Sequence, residues 1–358
     1  MDDTTAASVG FVLAGVALAA SIFGWRQDGQ LVALAAVALA AVALAAFALR
    51  RYERLDRSIG PVVAAVASIG VVAAALYAAV LGGDRLGAVI ATLAGGGSAV
   101  FAYADWRGID RESLSRKAGA TVVGTSIGVA GIAAIILWSY VFGAFAAVST
   151  PGVLEDAAGR TILSTIATGA GTVTVVALYL RIGDLDLTFL DVRTPDLRGV
   201  IYAVVGTLAI FAGNLAIGLA FQEVGVETAQ HTIIRTAESD PTILLALVPL
   251  SYLVIAPGEE LLFRNVVQKR LRTVFSPVAG IVVASAVFAA VHFSAYLSPD
   301  SGLLPTLNTL AIIFVLALVL GAVYERTGNV VVSMLAHGTF NAIAFAVTYA
   351  QLTGALGG

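Results

Sequence analysis

The sequence predicts an all-α fold, a polytopic transmembrane helix bundle of about 11 spans. Three observations carry that prediction. Of the 358 residues, 59% are hydrophobic and 12% are charged, where a soluble domain carries about 25% charged residues; mean hydropathy is +0.94. The apolar residues gather into runs long enough to cross a bilayer, which takes about 20 residues of helix. Basic residues fall in every second connection between those runs, as they do when cytoplasmic loops carry the Arg and Lys.

The runs lie near 7–25, 30–49, 60–82, 87–104, 118–148, 161–180, 199–221, 242–256, 278–296, 303–323 and 329–351. The run at 118–148 is long enough to tilt or to extend past the bilayer. The run at 242–256 is short and is expected to continue into a helix that starts at Pro257. The basic connections hold Arg50, Arg51, Arg54 and Arg57; Arg107, Arg111, Arg116 and Lys117; Arg181, Arg193 and Arg198; Lys269, Arg270 and Arg272; and Arg326. The alternate connections at 149–159, 222–241 and 297–302 are acidic or neutral apart from Arg235. This alternation places the basic loops in the cytoplasm and both termini outside.

Composition excludes several classes. There is no cysteine, so structural disulfides, thiolate-bound zinc and thiol catalysis are ruled out. Net charge is −3, which leaves no electrostatic footprint for nucleic acid. The start, Met1-Asp2-Asp3, is acidic where a cleavable signal has a basic segment. Three regions are expected: N-terminal transmembrane helices at 1–181, a polar cytoplasmic connector at 182–198 containing Pro195, and a core at 199–358. In the first region the helices are plain, whereas polar residues enter the apolar helices of the last.

Ionisable residues inside membrane spans point to function by default. In Pro257-Gly258-Glu259-Glu260-Leu261-Leu262-Phe263-Arg264, residues four apart share a helix face. Glu260 therefore pairs with Arg264, and Glu259 is left available. A helix starting at Pro257 puts both carboxylates in its first turn, where the dipole favours negative charge; an interfacial charged helix end reads equally well. In the second segment, Ser285 to His292, Phe288 and His292 share a face, and a lone histidine among Ala and Val is more often a packing residue than a catalyst. In the third, His337 and Asn341 lie one turn apart, and both can donate to an oxyanion or hydrogen-bond between helices. His231, in the acidic loop, has no patterned partner and reads as a surface residue.

The order Glu-Glu-x-x-x-Arg, Phe-x-x-x-His, His-x-x-x-Asn on successive membrane helices resembles the CAAX-protease and bacteriocin-processing family of intramembrane proteases, also called the abortive-infection family. Gly321, Tyr324, Arg326, Thr327, Gly328 and Asn329 resemble that family's stretch before its last motif. The resemblance covers about 199–345. Asn265 departs from it, since many relatives have Gly after the Arg, and residues 1–180 carry nothing comparable. The resemblance implies that Glu259 activates water with help from His292, that His337 and Asn341 stabilise the oxyanion, and that Glu260 and Arg264, with Phe288 beside them, support the site. It implies an integral cell-membrane peptidase with its active site toward the cytoplasmic side. Its substrate is then a peptide or prenylated protein in the bilayer, cut near the membrane surface. Zn2+ is left open: Glu259, His292 and His337 can make a two-His, one-carboxylate site, but the His-Glu-x-x-His spacing of common zinc proteases is absent. Two other functions stand beside the protease. One is a non-catalytic membrane scaffold or immunity protein on the same core. The other is a transporter with a proton relay, which the lack of an internal repeat argues against.

Overall fold

The computed structural model describes residues 3–355 except 224, 226 and 298–301. The connection expected at 297–302 therefore lies mostly outside the described residues, as do Met1 and Asp2. Every regular element among the described residues is helical, and ten helices are long and apolar enough to span a bilayer, with a shorter apolar one at Pro277–Val291. An all-α polytopic bundle of about 11 spans is therefore what the chain folds into. An odd number of crossings begins and ends on different sides, so the expectation of both termini outside is not consistent with eleven passes.

The chain forms two compact units, 1–118 and 119–358. The first is built from α1 (Thr5–Asp28), α2 (Leu31–Arg51), α3 (Gly60–Val80) and α4 (Arg85–Trp106). Its core is small-residue packing, with Ala14, Ala43, Ala64 and Ala102 around Phe47. Alanine lets helix backbones approach closely, which matters where lipid supplies no hydrophobic drive. One buried ion pair, Arg50 to Asp105 at 3.1 Å, ties α2 to α4.

The second unit begins inside α5 (Arg111–Ser149) and continues with α6 (Ala157–Ile182), α7 (Leu197–Glu223) and the short α8 (Thr232–Ala237). Then come α9 (Thr242–Arg272), α10 (Pro277–Val291), α11 (Phe293–Tyr296), α12 (Leu303–Thr327) and α13 (Val330–Leu352). The units divide after Ala118, upstream of the connector expected at 182–198, because α5 and α6 pack on α9. Their small residues allow this: Gly128 faces Phe263, and Gly169 faces Val254.

Pro257 does not start a helix. It lies within α9, a continuous 31-residue element, so the first-turn account of the two glutamates is replaced. The helix absorbs the proline through two π-helical segments, Ser251–Ile255 and Leu261–Gln268. In the first, the Ala256 N–H reaches the Ser251 carbonyl, five residues back. Such π segments often mark functional sites. The five residues between them, Ala256–Glu260, carry both carboxylates.

The connector 182–198 docks on the basic-loop end of this unit. Asp191 accepts from Lys269 Nζ at 2.7 Å and from the Tyr324 hydroxyl at 2.6 Å, and Asn329 donates to the Arg193 carbonyl at 2.9 Å. Tyr324 and Asn329 thus hold the connector as well as shaping the chain before α13.

Candidate active site

Glu259, His292, His337 and Asn341 line one cavity of about 760 Å³. His292 Nε2 and His337 Nε2 each lie 3.9 Å from the same oxygen, Glu259 Oε2. Both rings are fixed by their other nitrogen. His292 follows the last residue of α10, and its Nδ1 lies 2.7 Å from the Phe288 carbonyl, so Nδ1–H donates to a carbonyl of the helix end. His337 Nδ1 lies 3.1 Å from Glu260 Oε1, and a carboxylate is acceptor-only when ionised, so here too Nδ1–H donates. In the neutral rings both Nε2 atoms therefore face Glu259 as acceptors.

Beneath this surface the support is dry. Glu260 and Arg264 are fully buried and joined at 3.0 Å. Glu260 therefore has two partners, Arg264 and His337. Phe288 is 1% exposed and touches every neighbour that matters: the Arg264 guanidinium sits 5.1 Å over its ring, and the rings of His292 and His337 lie at 4.5 and 6.3 Å. Gln268 donates to the Gly321 carbonyl at 3.1 Å, which places the motif glycine of α12 against α9. Asn265, the departure from the motif, is fully buried, and its side chain makes no hydrogen bond to protein among the described residues.

The geometry also tests a metal. Zinc held tetrahedrally at about 2.1 Å brings its donors to about 3.4 Å of one another, and a 3.9 Å separation needs an angle of about 135° at the metal. Among the described residues no group of three His, Asp or Glu is arranged to hold an ion. A water bonded at about 2.8 Å to two of these atoms needs only about 90°. As folded, the set fits water and does not fit tetrahedral zinc.

Two features escaped the sequence. His231 is half-buried rather than a free surface residue. It lines the same cavity, its ring meets Tyr296 edge-on at 4.9 Å, and its Nδ1 accepts from the Ile233 N–H at 3.0 Å. Loss of solvent around the ring pulls its pKa down to about 4, so it is neutral at ordinary pH. No local pattern signals this, because the loop is folded over by distant contacts: Ala229 N–H donates to Thr309 Oγ1 at 2.9 Å, and Asn308 donates to the Glu227 carbonyl at 2.8 Å. The second feature is a polar stripe on α6, Ser164, Thr165, Thr168 and Thr172. Its three- and four-residue spacing was a readable signal.

The fold and the site define a polytopic membrane protein that gathers two histidines and a carboxylate in a cavity among its helices. More narrowly, residues 241–343 match the family described as type II CAAX prenyl endopeptidase Rce1-like, in agreement with the three motifs. Neither the curated proteins nor the solved structures include a match to the chain.

Proposed function

We propose that the second unit is an intramembrane endopeptidase in which Glu259 and His292 activate water and His337 and Asn341 stabilise the oxyanion. The observation that carries this reading is the convergence of two imidazole Nε2 atoms on one Glu259 oxygen at 3.9 Å each, while both Nδ1 positions are engaged elsewhere. A water between Glu259 and His292 gives one hydrogen to Oε2 and the other to Nε2, and its lone pair is left for the peptide carbonyl. As its oxygen bonds to the carbonyl carbon, one proton passes to Glu259 and the carbonyl π pair moves onto oxygen. Asn341 Nδ2–H and His337 donate to that oxyanion. His337 Nδ1–H stays on Glu260, so Nε2 donates only when the ring carries both protons. Glu260, held by Arg264, is the counter-charge for that imidazolium. When the carbonyl re-forms, the C–N bond breaks and Glu259 returns its proton to the leaving nitrogen. The products are one acid and one amine.

General base catalysis of this kind contributes about 10²–10⁴ in rate. The cavity's apolar wall, with Ile132, Ile135 and Ile136 of α5 and Ile312 and Ile313 of α12, suits an apolar peptide or a prenylated segment. The test compares small peptides released from membranes containing wild-type or Glu259→Gln protein. The amide is isosteric but cannot take the proton, so release should fall to background with folded yield unchanged. A zinc chelator should leave the wild-type rate intact. Near-normal release by folded Glu259→Gln protein would sink the reading in favour of a scaffold, and chelator loss reversed by added zinc would replace water by metal.

A further inference from the structure

One connector residue touches three helices that build the site. The Asp191 carboxylate accepts from Lys269 Nζ of α9 at 2.7 Å and from the Tyr324 hydroxyl of α12 at 2.6 Å. Its own carbonyl accepts from the N–H of Val330, the first residue of α13, at 3.2 Å. That threefold reach needs a sharp bend. A 3₁₀ turn, Leu187–Leu190, capped by Asp186, delivers the chain, and Asp191 then takes φ 47° and ψ 32°. A non-glycine residue in this left-handed region is strained, and the strain persists only where the surroundings over-determine it. Here they do. Asn329 accepts from the Arg193 N–H at 3.4 Å and donates to the Arg193 carbonyl at 2.9 Å. Lys269 also donates to the Phe189 carbonyl and lies 4.2 Å over the Phe189 ring.

These ties lie a short way along the helices from the site. Lys269 is nine residues beyond Glu260, and Val330 is seven before His337, about 14 Å and 10 Å of helix. The 3.1 Å contact of Glu260 Oε1 with His337 Nδ1 is where α9 and α13 must meet. Two bonds to α12 lie on the way: Gln268 Nε2 donates to the Gly321 carbonyl at 3.1 Å, and Ser333 Oγ donates to the Leu320 carbonyl at 3.3 Å. The stretch of α9 between Glu260 and Lys269 is the π segment Leu261–Gln268. Exchanging its five-back hydrogen bonds for the four-back bonds of an α-helix turns one end against the other. The angle at which Glu260 leaves α9 therefore depends on how the Lys269 end is held. At that end α9 and α12 have a second tie, Arg272 to Glu325 at 2.9 Å, so the spacing that depends on Asp191 is that of α9 and α13.

We propose that Asp191 is a positioning residue: it ties the end of α9 to the start of α13 and thereby holds Glu260 and His337 in register, which sets His337 for the reacting carbonyl. The catalytic consequence rests on the peptidase reading, but the tie between the helix ends does not. Asp191 and Lys269 are 25% and 28% exposed, and part-exposed ion pairs add little to stability. Rate is more sensitive than fold: a misplacement of about 1 Å can cost about 10²-fold in turnover. The test uses full-length Asp191→Asn and Lys269→Met protein. Asn tolerates the left-handed turn and keeps an acceptor for Tyr324. Both variants should melt near wild type and leave KM unchanged for a quenched-fluorescent apolar peptide, while kcat falls by about tenfold to a hundredfold. The chain has no cysteine, so spin labels on Thr273→Cys, just past α9, and Val331→Cys, in the first turn of α13, report the spacing directly. Their dipolar coupling should be sharp with Asp191 and broadened with Asn. Wild-type kcat in both folded variants overturns the proposal, as does a loss of kcat with unchanged coupling. Failure of both variants to fold also overturns it, because the pair would then be structural. Should Glu259→Gln protein prove active, the peptidase reading falls, and the label coupling still decides the tie.

Discussion

Removing either partner of the Glu260–Arg264 pair should destabilise the second unit, but unequally. The pair is fully buried at 3.0 Å, and deleting one member of such a pair costs about 3–5 kcal/mol because the other is left charged and dry. The environment decides which deletion is worse. Arg264→Ala leaves Glu260 with His337 Nδ1 at 3.1 Å, so one charge-assisted hydrogen bond survives, and the cost should sit near 3 kcal/mol. Glu260→Ala leaves a guanidinium whose Nη1 and Nη2 have no protein partner among the described residues. Only the Phe288 ring remains over it, at 5.1 Å, so the cost should approach 5 kcal/mol. Against a typical total of about 5–15 kcal/mol, the second loss should abolish most folded yield and the first should reduce it. Thermal unfolding of detergent-purified protein reads the order directly. A Glu260→Leu, Arg264→Met double variant removes both charges and should recover stability beyond either single alanine, while His337, deprived of its acceptor, should not recover activity. A lower melting temperature for Arg264→Ala than for Glu260→Ala, or no loss in either, would refute the buried-pair account.

Three further outcomes follow from the same geometry. Asn341→Ala should retain the fold and lower turnover by about 10²–10³, the effect of one lost oxyanion donor; an unchanged kcat would remove Asn341 from the site. Gly258→Ala places a Cβ 2.3 Å from Thr172 Oγ1 and 3.5 Å from Gly169 Cα. It should displace Glu259 and lower activity, at a cost of about 1–3 kcal/mol in stability, and Thr172→Ala in the same chain should restore part of both. Asp191 has φ 47°, a conformation Asn tolerates far better than Ala. Asp191→Ala should therefore lower the melting temperature more than Asp191→Asn, and equal effects would mean that only the charge matters.

How much of this was legible depended on the range of the interaction. The span pattern and the Glu260–Arg264 pair are local consequences of composition and four-residue spacing, and both are present in the fold. The convergence of Glu259 with His292 and His337 required long-range packing, and residue order alone supplied it only through family resemblance. Pro257 misled because a proline usually marks a helix start, whereas two π segments let α9 run through it. The region boundary at 182–198 followed the polar composition of the connector. The compact unit follows packing instead, and small residues such as Gly128 and Gly169 bring α5 and α6 against α9. His231 was misread because its environment is made by Thr309 and Tyr296, some 80 and 65 positions away, and nothing in its own neighbourhood carries that information.

The two adjacent glutamates pose a geometric problem that His337 resolves. Successive residues on a helix diverge by about 100°, so Glu259 and Glu260 cannot both aim at one small target. His337 meets them on opposite ring atoms: Nδ1 is 3.1 Å from Glu260 Oε1 and Nε2 is 3.9 Å from Glu259 Oε2. One imidazole thus spans the angular gap, with a tight contact on the dry side and a loose one on the cavity side. The tight contact belongs with Arg264 and is structural. The loose contact leaves room for a water or an oxyanion between ring and carboxylate. A single ring thus joins the buried pair to the carboxylate that faces the cavity. Glutamine at 337 would present an amide nitrogen and oxygen from the same end of the side chain. It could keep one of these partners but not both, and for this reason the third motif needs a histidine rather than any hydrogen-bonding residue.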